Sequence, residues 1–259
     1  FGGRAVRFHQ SLLWNNVTDL RLIINQRTLT ISGSLYYSST AAQAYRGDRV
    51  PCLDEPAEFD EAGYPITKLQ SDGTTLEGYV WVNPYWAPDT PVKVCAFDAQ
   101  ERAVTSSGLS CEIRSSVSQR ECGCGPELQR CAYRTITIQP TLESFAEDTN
   151  RRVRDIVGGD IPYTELFTHQ YAWVNGPIVD YWTHRSEFYQ GFRTSPNPMP
   201  MERLPDLDYL DVDTWVKVPL DDNASGILTS PAYLMRFQTN RSRANRFYNA
   251  FLCQPFQPP

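Results

Sequence analysis

Long apolar runs are missing from this 259-residue chain. No stretch approaches the roughly 18–20 uninterrupted apolar residues of a membrane-spanning helix, so no transmembrane segment is read from it. Excess positive charge is missing as well: 24 Lys and Arg stand against 30 Asp and Glu, a net charge of −6. With its arginines scattered, such a chain is a poor ligand for phosphate backbones, which argues against nucleic acid as a partner. Histidine is scarce, with only His9, His169 and His184, too dispersed for a metal-binding signature. Each of the three is a candidate axial haem ligand presented on a helix, against the plainer role of a hydrogen-bonded structural histidine. The nucleophile elbow G-x-S-x-G, the zinc motif H-E-x-x-H, the phosphate loop and the dinucleotide fingerprint are all absent. So is a haem-attaching C-x-x-C-H. These gaps point away from an enzyme without excluding one, and they assign no cofactor within the segment.

What is present describes a folded protein. Apolar residues make up 41% and charged residues 21%, and the length suits one large core or two modest ones. Seven cysteines, Cys52, Cys95, Cys111, Cys122, Cys124, Cys131 and Cys253, are disulfide candidates. Six of them crowd into residues 52–131. Zinc is the competing reading, but Cys122-Gly-Cys124 has one intervening residue, no matching partner pair and no nearby histidine. Disulfides imply an oxidising compartment: periplasm, outer-membrane association, cell surface or secretion. Spacing suggests Cys95 with Cys111 and a knot among Cys122, Cys124 and Cys131. Cys253 then either reaches back to this cluster or pairs outside the segment. The start Phe1-Gly-Gly-Arg4 and the proline-rich end Gln254–Pro259 read as an internal piece of a longer protein.

Periodicity predicts an α+β fold. Val6, Phe8, Leu12 and Leu13 share a helical stripe over 1–15. From Leu20 to Tyr37 the alternation is that of a strand pair turning near Asn25-Gln26. Residues 51–76 read as a long loop, and 78–86 and 92–97 as strands joined by a turn at 87–91. Arg134–Ile138 alternates as a further strand. A helical stripe resumes at Leu142, Phe145, Thr149, Val153, Ile156 and Val157, with Gly158-Gly159 as its stop. Thr164 caps a short helix, Pro177 opens another, 192–220 is an extended wrapped segment, and Ser230-Pro231 opens a last helix. Helices on both sides of a β-stretch predict a discontinuous helical domain, 1–19 and 139–259. An inserted disulfide-rich antiparallel β-domain occupies 20–138.

Two stretches carry a family resemblance. Glu143-Ser-Phe-Ala-Glu-Asp-Thr-Asn-Arg151 is followed by Tyr163-Thr-Glu-Leu-Phe-Thr-His-Gln-Tyr-Ala-Trp-Val-Asn-Gly-Pro177. Further on come Gly226-Ile-Leu-Thr-Ser-Pro-Ala-Tyr-Leu234 and the run from Arg241 through Cys253-Gln-Pro. Together these resemble the planctomycete- and myxobacterial-type domains of unknown function associated with cytochrome c, the "PSD" modules. Arg7-Phe-His-Gln-Ser-Leu-Leu-Trp14 is similar to the helix that precedes them. The likeness covers about 1–15 and 141–259 and leaves the β-stretch outside. It implies a large extracytoplasmic bacterial protein, with haem c in flanking sequence or in a partner.

Candidate chemistry is sparse. Asp206, Asp208, Asp211 and Asp213 place four carboxylates in eight residues, a candidate Ca²⁺ loop or simply a solvated acidic face. Asp54, Glu55, Glu58, Asp60 and Glu61 read as another such face. Tyr79, Trp81, Tyr85 and Trp86 form a candidate aromatic surface for sugar rings or a protein partner, unless they cover a small β-core. Asn16, Asn223 and Asn240 head glycosylation sequons. The first expectation is a non-catalytic structural or assembly segment of an extracytoplasmic, cytochrome-associated protein with protein partners. The alternatives are a carbohydrate-binding or carbohydrate-processing surface protein and a haem-contacting redox subunit.

Overall fold

The computed structural model describes residues 2–13, 28–38, 46, 50–113, 116, 119–159, 161–186, 199–237 and 239–255. In chain order the elements are α1 (Gly2–Leu13), β1 (Thr28–Ser32), β2 (Leu35–Ser38), β3 (Lys68–Leu69), β4 (Thr75–Leu76), β5 (Tyr79–Val82) and β6 (Val92–Cys95). After β7 (Ala132–Tyr133) come α2 (Gln139–Gly158), α3 (Glu165–Thr168), β8 (Tyr171–Val174), α4 (Gly176–His184), β9 (Val216–Pro219), α5 (Pro231–Arg236) and α6 (Asn240–Phe251). The α+β class is therefore observed. Among the described residues, no helix is long and apolar enough to cross a membrane. Two compact units are formed: Phe1–Leu22 with Gln139–Thr183 and Gln190–Pro259, and Ile23–Ile138 with His184–Tyr189.

The first unit is built on α2. Its apolar stripe buries Leu142, Phe145, Val153 and Ile156. Val153 and Ile156 share a core with Val6 and Leu13 of α1, Leu166 of α3 and Tyr233 of α5. Burying each such aliphatic side chain stabilises the fold by about 1.5–3 kcal/mol. Strands β8 and β9 pair antiparallel, Tyr171 opposite Pro219 through Val174 opposite Val216. Alternation sends Ala172, Val174 and Val218 inward, leaving Tyr171, Trp173 and Lys217 on the other face. The strand-to-helix junction depends on Gly176, where a Cβ would stand 1.9 Å from the Asp208 carbonyl oxygen. Helix α5 starts with Pro231 in its first turn after the Ser230 cap, and α6 starts with a Thr239/Ser242 capping box.

The second unit carries a five-stranded mixed sheet in the order β5-β6-β2-β1-β7. Pairs β5/β6 and β1/β2 are antiparallel; β2/β6 and β1/β7 are parallel. The β1–β2 hairpin turns at Gly33-Ser34, and Gly33 has φ +61°, a left-handed first position that glycine adopts without steric cost. Three disulfides, Cys52–Cys95, Cys111–Cys122 and Cys124–Cys131, hold this unit. They fit a protein of an oxidising, extracytoplasmic compartment.

Several expectations are corrected. Arg134–Ile138 is a π-helical turn leading into α2 rather than a strand. The hydroxyl of Thr137 bonds both the N–H and the carbonyl of Tyr133, closing the backbone locally where alternation pointed to extension. The long loop at 51–76 contains the β3/β4 hairpin, and the wrapped segment at 192–220 contains β9. The last helix is two, α5 and α6, because Phe237 leaves helical geometry at φ −115°, ψ 78°. The turn expected at Asn25-Gln26 and the Asn16 sequon lie outside the described residues.

Candidate functional site

The most buried polar centre of the first unit lies where α2 meets β8. Asp148 and Arg152 stand one turn apart on α2, so their side chains share a face. They form a bidentate pair, Nη2 to Oδ2 at 2.6 Å and Nε to Oδ1 at 2.8 Å, with both side chains almost fully buried. Asp148 Oδ1 also accepts the backbone N–H of Trp173 at 2.7 Å. Arg152 Nη1 reaches Nε2 of His169 and the carbonyl of Gly226, each at 3.4 Å. The His169 Nδ1 donates to the Glu165 carbonyl at 2.7 Å, which fixes the tautomer and turns the Nε2 lone pair toward the guanidinium. Burial, reinforced by the Arg152 charge, pulls the His169 pKa down to about 4. The ring is neutral at pH 7, its Nδ1 proton is committed to the Glu165 carbonyl and its Nε2 lone pair to Arg152, so neither is free for proton transfer. One ion pair thus ties together α2, α3, β8 and the turn at Gly226.

Outside this centre lies an alternation of rings and cations. Lys217 Nζ sits 4.1 Å from the Tyr171 ring centroid and 5.1 Å from that of Trp173. The Arg151 guanidinium lies 5.7 Å from Trp173 and 4.3 Å from Trp215. Asp155 accepts from Lys217 Nζ at 2.8 Å and Trp173 Nε1 at 2.9 Å. Burial alone would raise its pKa, but these bonds outweigh that and hold it below the ordinary carboxylate value. Burial, with the Asp155 carboxylate beside it, pushes the Tyr171 hydroxyl far up. Each cation–ring contact is worth about 0.5–1 kcal/mol at such a surface. Cations therefore occupy ring faces that a sugar would need.

Behind Trp173 a cavity is bounded by Asp148, Arg152, Phe145, Ile178, Trp182 and Met199. Its free space is about 20 Å³, room for roughly one water and far below the few hundred Å³ of a substrate pocket.

The sequence candidates fare unevenly. His9 donates from Nδ1 to the Ala5 carbonyl and accepts at Nε2 from the Tyr163 hydroxyl, both at 2.8 Å. His184 ends α4, and burial, then the charges of Arg185 and Arg130, lower its pKa to about 4. The four-residue aromatic surface is corrected. Trp81 is 60% exposed and Tyr79 lies edge-on to it, but Tyr85 and Trp86 are each only 7% exposed. The Tyr85 hydroxyl is drawn inward, donating to the Cys131 carbonyl and accepting from Arg185 Nη1. Among the described residues, Asp206, Asp208, Asp211 and Asp213 do not gather their ligand atoms into one cluster; the cluster that forms is Cys52, Glu77 and Cys95. The sulfurs of that trio are bonded to each other. The expected Cys95–Cys111 bond is replaced by Cys52–Cys95, and Cys122 leaves the proposed knot to pair with Cys111. Cys253 is a free, exposed thiol.

The sequence reading missed the buried charges of the second unit. Arg46 lies 3.1 Å from Glu77 and 2.6 Å from Asp98, and Asp98 also accepts the Ser38 backbone N–H. Burial, opposed in part by Arg46 and helped by Asp98, raises the Glu77 pKa to about 7. No periodicity links positions 46, 77 and 98, so nothing in the sequence announced the trio.

Compared with protein-family models, curated proteins and solved structures, the chain matches none.

Proposed function

We propose that the chain is a non-catalytic structural or assembly segment of a larger extracytoplasmic protein that works beside a cytochrome. The observation that carries this reading is the use made of Asp148, Arg152 and His169. The acid, the cation and the imidazole of the best-buried polar centre each hold backbone segments in place. The resemblance of 1–15 and 141–259 to cytochrome-associated modules supplies the partner, and the three disulfides agree with its compartment. The periplasm, the outer membrane and the cell surface are the proposed locations. Affinity purification of the chain from its native host under non-reducing conditions tests the reading. A co-purifying haem protein with Soret absorbance is expected; repeated recovery of the intact chain with no haem protein would overturn it.

A second reading, carbohydrate binding, rests on Trp81, whose indole stands 60% exposed on β5. Binding on a glycan array that disappears in Trp81→Ala would establish it. A haem-contacting role would fall to His184, since both ring nitrogens of His9 and His169 are engaged.

A further inference from the structure

The first unit is charged oppositely at two places. Helices α1 and α6 contain arginines and no acid, although the chain as a whole is acidic. The two helices are joined by Arg246 Nη2 donating to the Ser11 carbonyl at 3.0 Å. Arg4, Arg7 and Phe8 lie on the exposed stripe of α1, and Arg241 and Tyr248 on that of α6, with Leu252 just beyond. Phe8 is 58% and Leu252 47% exposed. Arg4, Arg7 and Arg241 form no ion pair among the described residues. No residue of α6 is fully buried, and Arg241, Asn245, Tyr248 and Asn249 leave one side of it exposed among the described residues.

The complementary chemistry is on the same chain. Asp206, Asp208 and Asp213 are exposed and make no ion pair among the described residues. Between them Leu210 is 52% and Val212 45% exposed. The segment is held rigidly. Tyr209 is buried, Gly176 N–H donates to the Asp211 carbonyl, and Asn175 Nδ2 donates to the Val212 carbonyl. A segment already fixed loses little entropy on docking. It is anchored near the start of α2, away from where the core of α1 packs. Asn175 also ties it to Ser144, whereas α1 packs beside Val153 and Ile156, and the 12-residue step from Ser144 to Ile156 spans about 18 Å of helix.

We propose that the chain binds a second copy of itself, the 206–213 segment of one copy seating on the α1–α6 face of the next. Three free carboxylates meet three free guanidiniums, and Leu210 and Val212 meet Phe8, Tyr248 and Leu252. The contact is heterologous, so copies join head to tail. The inference stands apart from the cytochrome reading, because it needs no partner but the chain itself.

Sedimentation velocity of the whole chain tests it. Wild-type chain associates at about 50 mM salt, and raising salt to about 500 mM weakens association by about tenfold or more, as screening of exposed charges requires. The variant Arg4→Glu/Arg7→Glu/Arg241→Glu is monomeric, as is Asp206→Lys/Asp208→Lys/Asp213→Lys. Each keeps the face that the other has lost, so mixing them yields a one-to-one pair. A monomeric wild type at low salt, salt-independent association, or two folded variants that still self-associate alone would each overturn the proposal. The salt series needs no variant and decides the matter even if a variant fails to fold.

Discussion

Replacing Glu77 by Gln is expected to stabilise the second unit at alkaline pH. The carboxyl is fully buried beside Asp98 and Arg46, and burial carries its pKa from 4.5 to about 7. A group raised in this way binds its proton more tightly folded than unfolded. Its contribution is fully present below pH 4.5, declines as pH rises, and is gone above about 7. Moving the carboxyl by that amount is worth about 3 kcal/mol, at about 1.4 kcal/mol for each tenfold change in proton affinity. The amide of Gln copies the protonated acid and never ionises, while Arg46 keeps Asp98 at 2.6 Å. Denaturant titration at pH 5 and pH 8, read by hydrogen exchange in peptides from 50–113, measures the difference. The variant is expected to exceed wild type by less than about 1 kcal/mol at pH 5 and by about 3 kcal/mol at pH 8. A variant that is less stable than wild type at pH 8 would show that the Arg46–Glu77 attraction outweighs desolvation, and would refute the reasoning.

Two further outcomes are expected. Arg152→Met strands the buried Asp148 carboxylate and lowers the thermal stability of the first unit by about 3–5 kcal/mol, whereas Asp148→Leu/Arg152→Met recovers most of that loss. Calorimetry of both variants checks the pair; equal losses would mean that the ion pair is net stabilising rather than self-compensating. Opening Cys52–Cys95 with paired Cys→Ala changes costs about 4 kcal/mol and opening Cys124–Cys131 about 2.5 kcal/mol, because the first closes the longer loop. Urea unfolding of the two double variants gives that order, and its reversal would count against loop entropy as the cause.

Elements governed by their own residues were legible in the sequence. The stripe from Leu142 to Val157 and the Gly158-Gly159 stop correspond to α2, and the β-rich runs around Pro88 correspond to β5 and β6. Elements that exist only through a distant partner were not. The sequence assigns no element to β8, because its mate begins only at Val216. Arg134–Ile138 alternated convincingly, yet one threonine hydroxyl decided its backbone. The cysteines showed that sulfur would be cross-linked but not how, since Cys52 passes over 42 residues to find Cys95. Of the aromatic site only Trp81 and Tyr79 remained accessible, because a strand pattern cannot reveal that the residues after it turn inward.

The core of the first unit joins Val6 and Leu13 to residues beyond position 150. A ribosome or a translocation pore delivers α1 well before the surface that shelters it exists. Through that interval its apolar stripe is open to whatever it meets, the kind of exposure that holding chaperones cover. Protein synthesis therefore sets a waiting time for this unit that no local helix preference can shorten.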